Sequence, residues 1–380
     1  MNFKIEKYLL RKTEELAFIT IKHDGDFQLE GYEIPKSGLD VPIKNEVLVK
    51  GIKENTAQEK INSMSIADAM MYIIGIDSKF KYNDEYKKFL SAIEKQVNLD
   101  VRAYMGYMSR KYFEIGEYTD SLIYLKGLIT MYPNDIEGMY HYAIVCQEVA
   151  KQYQKDSDDE AMNKFLLEAL SKLEMVIELD ENFALAYYHL GYHYYNQGQY
   201  IKSKVIWEES LKLGLDADLA AEVQECIGKM DFKVQYEEGY SLVFQGKSEE
   251  GLEKLLPLEA EHSEWWNLLF MIGLAYKNMG EIEQAKKYFE RILIMKPHQV
   301  DTIVELALCE ATAFNLEKAI ELFETAAKIK EDPEILCNLG MAYLNNGELD
   351  DAIYYIERAY ELDPQDKITV ACLRELDKYR

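Results

Sequence analysis

One pattern returns along this chain at intervals of about 34 residues, and a repeat of that length restricts the fold more than any other feature. In residues 266–297, Leu269, Ile272, Gly273 and Tyr276 fall at helical spacing on one face. Gly280 then permits the left-handed turn that ends a helix. Ala285, Phe289 and Ile292 mark a second helix, and Pro297 closes the pair. The same order recurs as Leu336, Leu339, Gly340, Tyr343, Gly347, Ala352, Ile356, Ala359 and Pro364. It occurs earlier as Met105, Met108, Ser109, Tyr112, Gly116, Tyr118, Ser121, Leu125, Leu128 and Pro133. Another copy has Tyr187, Leu190, Gly191 and Tyr194, then Gly198, Tyr200, Ser203 and Trp207. A single hairpin of this kind cannot bury its apolar face, so the copies must stack.

Small residues stand where the two helices of a pair approach closely, and large ones fill the space between pairs. A large apolar residue, Leu-Gly, Tyr, a turn Gly, Ala, Phe, Ala and Pro in that order resemble the tetratricopeptide-repeat (TPR) family. The resemblance covers most of residues 102–366. Weaker copies fill the gaps: one near Val300 (Leu306, Ala307, Ala319, Phe323, Ala326) and one near Phe232 (Gly239, Leu242, Gly246, Gly251, Leu255). The copy near Ile136 has a sound first helix (Met139, Tyr142, Ala143, Cys146), an inserted loop near 150–165, and a second helix with Ala169, Leu173 and Val176. Its extra residues are expected to lengthen both helices. Residues 217–230 read as an additional helix and 367–380 as a polar capping helix. The resemblance implies an all-α, right-handed superhelical solenoid of about seven helix-turn-helix repeats.

Residues 1–64 lack the repeat. Phe18, Ile19, Thr20 and Ile21 alternate, and residues 27–30 answer them across Asp24-Gly25, a hairpin signal. Val47, Leu48 and Val49 read as a third strand. Residues 65–101 read as a divergent helical hairpin capping the array, with helices over 66–76 and 84–97.

Charge and motif narrow the function. With 43 basic and 68 acidic residues the net charge is −25, which repels a phosphate backbone and an anionic membrane surface. No stretch reaches the ~20 apolar residues of a membrane span, and the first residues show no leader pattern. A cytoplasmic location is therefore expected. Abundant Lys, Ile and Tyr suggest a bacterial source. Five scattered cysteines without a CxxC pair point to reduced thiols rather than disulfides or zinc. No phosphate-cradling loop, nucleophile elbow or zinc-protease motif is present. The acidic run 156–160 (DSDDE) lacks the glycine and distal Glu of a calcium loop. His189 and His193 have metal-binding spacing but no evident third ligand. The expectation is no enzyme, no cofactor and no metal.

In the TPR family the first helix of each pair lines a concave groove, which the resemblance carries onto Tyr107 and Arg110, then Tyr140, His141 and Ile144. Tyr188, His189, Tyr192 and Tyr195 follow, then Tyr236 and Tyr240, then Phe270 and Leu274. Tyr188, Tyr192 and Tyr195 form one stripe while Tyr187, Leu190, Gly191 and Tyr194 supply the other, so that helix is aromatic on both sides. Tyrosine combines large contact area with little rotamer entropy. Glu114, Glu137, Glu237, Asp301, Glu305 and Glu334 interleave with these rings and favour a segment bearing Lys or Arg. The Lys, Asn and Arg set by which chaperone-binding members grip a carboxylate is not found. The reading is a non-catalytic scaffold that binds a protein or peptide. The alternative is a peptide-responsive bacterial regulator resembling the Rap type, whose N-terminal three-helix bundle does not match residues 1–64.

Overall fold

The turn inside each repeat depends on a backbone conformation that few residues accept. In the computed structural model, which describes residues 5–25, 27–54 and 62–379, Gly116, Gly246, Gly280 and Gly347 all have φ between +79° and +84°. At Gly280 the glycine amide donates to the Lys277 carbonyl (3.0 Å) and the Glu281 amide to that of Tyr276 (2.9 Å). This pairing satisfies the last carbonyls of the first helix and reverses the chain. Phe314 occupies the same turn at φ +62°, with the same two bonds to Ala311 and Glu310, although its ring is 88% exposed.

Close approach between the two helices of a pair accounts for the small residue that precedes each Tyr position. A Cβ on Gly191 would lie 2.2 Å from the Trp207 indole; on Gly273, 2.7 Å from the Phe289 ring; on Gly340, 2.5 Å from Ile356. Three Tyr positions carry stacked rings: Tyr112 on Tyr124, Tyr276 on Tyr288 and Tyr343 on Tyr355, with centroids 5.6–5.7 Å apart. The chain divides into two compact units, Met1–Gln197 with Lys202–Gln224, and Gly198–Ile201 with Glu225–Arg380.

In the first unit, helix α1 (Glu6–Leu9) and a 3-10 helix (Leu10–Glu15) lead into strand β1 (Leu16–Ile21), which pairs antiparallel with β2 (Leu39–Lys44) in the register Leu16↔Lys44 to Ile21↔Leu39. The partner expected at residues 27–30 is thus corrected. Leu39, Val41 and Ile43 are buried, and this burial selects the more distant segment over the Asp24-Gly25 turn. Asp26 lies outside the described residues. Val47–Val49 are not a strand but part of helix α2 (Asn45–Lys53), with Glu46 favourably placed in its first turn. Helices α3 (Ser63–Ile76) and α4 (Asn83–Val97) follow. Helices α5 (Val101–Glu114) and α6 (Tyr118–Met131) form the first repeat pair, α7 (Ile136–Lys155) and α8 (Asp159–Leu179) the second, α9 (Ala184–Asn196) and α10 (Tyr200–Lys212) the third. The extra residues of the second pair lengthen its helices, and the loop expected near 150–165 is only a turn at 156–158. Those added turns hold Tyr8 between Tyr153 (5.8 Å) and Phe165 (5.5 Å).

Buried charge fastens the N-terminal element to the helices. Lys44 donates to the Tyr124 hydroxyl (2.6 Å), pairs with Asp68 (3.1 Å) and lies over the Tyr72 ring. Lys12 reaches Asp120 (2.9 Å), which also accepts from the Tyr72 hydroxyl. Buried Lys126 donates to Glu6 (2.7 Å) and to the Gly75 carbonyl (2.8 Å) at the end of α3. Burial lowers the pKa of Lys126, partly offset by Glu6.

Helix α11 (Ala217–Gly228) follows the third pair. The second unit then runs through α12 (Asp231–Phe244) and α13 (Ser248–Glu259), α14 (Trp266–Asn278) and α15 (Ile282–Met295), α16 (Val300–Thr312) and α17 (Leu316–Ile329), α18 (Pro333–Asn345) and α19 (Leu349–Leu362), and ends in α20 (Lys367–Leu376). The α16–α17 pair has Glu310 where its neighbours have Tyr276 and Tyr343. That buried carboxylate is held by Lys318 (2.6 Å), Asn315 (2.8 Å) and Lys286 (3.0 Å). Burial opposes its charge, yet these three groups together hold its pKa down to about 2.

Two stability measurements follow. Gly191→Ala is expected to destabilise by about 1–3 kcal/mol in denaturant unfolding, because a Cβ at 2.2 Å from a buried indole outweighs the ~1 kcal/mol gain in helix propensity. Phe314→Gly is expected to raise stability by up to about 1 kcal/mol, since relief of the left-handed strain exceeds the added chain entropy. A large destabilisation would mean that the exposed ring makes contacts essential to the fold.

Candidate partner-binding cleft

The first two repeat pairs open a cleft of about 860 Å³, entirely within the first unit. Its walls are α5 and α7, whose N-caps Asp100 and Asp135 fix the first turns by accepting from the amides of Ala103 and Gly138 (both 2.8 Å). Tyr107 and Arg110 line one side; Tyr140, His141 and Ile144 line the other. Thus five of the residues selected from the sequence as partner contacts share one cavity. Tyr107 is 61% exposed, and Arg110 has no ion-pair partner among the described residues. Arg102, by contrast, is tied to Asp135 at 2.5 Å. Asp100 and Glu137 add carboxylates to the rim.

A run of rings leads on from Tyr140. Its ring meets Phe183 (5.1 Å) and His189 (5.7 Å); His189 meets Tyr188 (5.0 Å), and Tyr188 meets Tyr192 (5.2 Å). Burial pushes the Tyr140 hydroxyl up to about 12, with Tyr188 adding to the effect. Burial likewise draws His141 below the usual imidazole range, and His189 down to about 4 with help from Lys151.

Helix α11 alters the part of this surface around Tyr188 and Tyr192. Its Glu222 accepts from the Tyr188 hydroxyl (3.2 Å) and from that of Tyr192. Tyr192 and Tyr195 also lie against Trp207, at 4.8 and 5.8 Å. These rings are half-buried rather than open. The sequence marked residues 217–230 as helical, but the single carboxylate facing two tyrosines depends on tertiary placement.

In the second unit Tyr236 is buried, with 8% exposed and its ring 4.5 Å from Trp265. Its expected place among the groove contacts is corrected: Trp265, at the start of the next pair, covers it. Tyr240 and Phe270 remain half-buried, the latter against Phe289 at 5.7 Å. His193 is buried, and its pKa is lowered by burial. Among the described residues no group of three or more His, Cys, Asp or Glu converges as a metal site. No helix of the described residues is long and apolar enough to cross a membrane.

Tetratricopeptide-repeat family models match residues 267–299 and 333–366. The chain carries tetratricopeptide repeats at these positions. Proteins of this family are protein-interaction scaffolds and generally non-catalytic. Among relatives, photosystem I assembly protein Ycf3 of Prochlorococcus marinus is 28% identical over 127 residues, covering 30% of this chain and 73% of the relative. A TPR repeat-containing protein of Methanocaldococcus jannaschii is 23% identical over 266 residues, covering 68% of this chain and 42% of the relative. A solved TPR protein from Parabacteroides merdae aligns with a TM-score of 0.43 and 10% identity, covering 73% of this chain and 98% of that one.

The histidine in the ring run gives the TPR array an acid-sensitive element. His189 has a folded pKa near 4 against an ordinary value of 6.5, so folding favours its neutral form. That stabilisation is present above about pH 6.5 and is lost as pH falls toward 4, up to about 3 kcal/mol for this one group. His189→Gln is expected to lose less stability than the wild type between pH 7 and pH 4.5 in parallel thermal melts. Equal losses would remove His189 from the acid response.

Proposed function

We propose that this TPR protein is a non-catalytic scaffold whose α5–α7 cleft holds a polypeptide segment of a partner protein. The observation that carries the reading is the conjunction, in one cleft, of the exposed Tyr107, of Arg110 with no ion-pair partner among the described residues, and of Tyr140 and His141. Two phenol faces and an imidazole offer contact area for side chains, while Arg110 and Glu137 offer one charge of each sign to the backbone or side chains of the guest. A chain of net charge −25 draws basic partners by long-range attraction, so the guest is a segment with Lys or Arg alongside an acceptor for Arg110. Tyr240 and Phe270 remain further candidate contacts in the second unit. The Rap-like alternative gains no support from the N-terminal element, which is built on a two-stranded sheet rather than a three-helix bundle.

Peptides selected from a random phage-displayed library against the whole chain test the assignment. Tyr107→Ser combined with Arg110→Ala is expected to weaken their binding at least about tenfold, a loss of about 1.4 kcal/mol, by fluorescence anisotropy. Both side chains are exposed, so the thermal midpoint should hardly move. Undiminished binding to the double variant would exclude this cleft as the docking site.

A further inference from the structure

Two thiols meet where the last helix covers the last repeat. Cys337 is buried on α18 beside Leu336 and Ala359, and α20 lays Thr369 and Cys372 over it. The Cys337 thiol donates to the Thr369 hydroxyl (3.4 Å), and Thr369 in turn donates to Asp366 (2.8 Å). Cys372 packs against the same buried group, Leu336, Cys337 and Ala359. The two cysteines therefore share one apolar contact between the last repeat and the helix that covers it, the neighbourhood a cross-link requires.

We propose that Cys337 and Cys372 form a redox site, in which hydrogen peroxide converts the pair to a disulfide that fastens α20 to the final repeat. The chemistry needs no further reactant. The Cys337 thiolate attacks one peroxide oxygen, the O–O bond breaks, and the departing hydroxide takes up the thiol's proton as water. The resulting sulfenic acid is attacked by the Cys372 sulfur; the S–O bond breaks, the S–S bond forms, and a second water leaves with the Cys372 proton. Two thiols and one peroxide give one disulfide and two waters, with two electrons passing from sulfur to oxygen.

The surroundings of the pair suit this role. The neighbouring Cys372 and Thr369 side chains draw the Cys337 thiol below the usual thiol range, which favours the reactive thiolate. Apolar burial does the opposite elsewhere: it pushes Cys146 well up and Cys309 up to about 11. Cys372 is only partly buried, and α20 is the terminal helix, so local opening there costs less than opening an interior helix and admits peroxide. Once formed, the cross-link closes a loop through α19 and restrains the unfolded chain.

The test uses the whole chain treated with a few equivalents of hydrogen peroxide. The expected result is an intact-mass loss of about 2 Da, reversed by dithiothreitol, with a peptide joining Cys337 to Cys372 in the non-reduced digest. The oxidised protein should also melt at a higher temperature than the reduced form. Cys372→Ser changes the side chain's size little and is expected to show neither the mass loss nor the higher melt. The wild-type digest stands on its own if that variant folds poorly. An unchanged mass, added oxygen without a link, or a disulfide mapped to other cysteines would each overturn the proposal.

Discussion

Each repeat is held by the contact of a small residue on the first helix with a large one on the second. Gly191 against Trp207, Gly273 against Phe289 and Gly340 against Ile356 leave no room for even one methyl group. Because the backbones come this close, the turn between them must be tight, and the left-handed glycine follows from that. The stacked tyrosine pairs one turn further along fill the widening space beyond the contact. Repetition of this one contact lets neighbouring pairs share apolar faces that no pair could bury alone.

The α16–α17 pair shows how far the rule bends. Ala307 still faces the second helix, so the close approach survives. Where the ring stack would be, Glu310 draws Lys286 and Lys318 together, linking three successive helices through charge instead of aromatic contact. A buried carboxylate is stable there only because two ammonium groups and an amide replace its water. The adjacent Phe314 keeps the turn despite its side chain, since both turn hydrogen bonds and the packing on either side determine the backbone. The fold tolerates losing two signature residues in one repeat because its neighbours hold the ends.

This division explains what could be read from the sequence. Helix pairs and turns were legible because every signal for them is local: glycine at the turn, apolar residues at helical spacing, proline at the end. The N-terminal sheet was not, because the Asp24-Gly25 signal competed with a buried strand, Leu39–Lys44, farther along the chain. Val47–Val49 resembled a strand by residue type, while Asn45 and Glu46 supplied a helical start. Charges inside apolar helices, such as Asp68 in α3 and Lys126 in α6, were the available sign of a buried ionic network. Their partners Lys44 and Glu6 are remote in sequence, so only the fold reveals them. Tyr107 and Tyr236 both lie on first helices, yet one is open and the other covered, a difference set by the neighbouring Trp265.

The same dependence on neighbours separates the tyrosines available to a guest from those already engaged. Glu222 on the additional helix takes the hydroxyls of Tyr188 and Tyr192, and Trp207 backs Tyr192 and Tyr195. A partner using those rings would have to displace a carboxylate that already meets their hydrogen-bonding capacity. At Tyr107 and Arg110 no such exchange arises, because exposed groups lose only water on binding. An aromatic stripe on a TPR helix therefore indicates binding potential only where no element of the same chain has claimed it, and in this protein that criterion favours the α5–α7 cleft over the more tyrosine-rich α9.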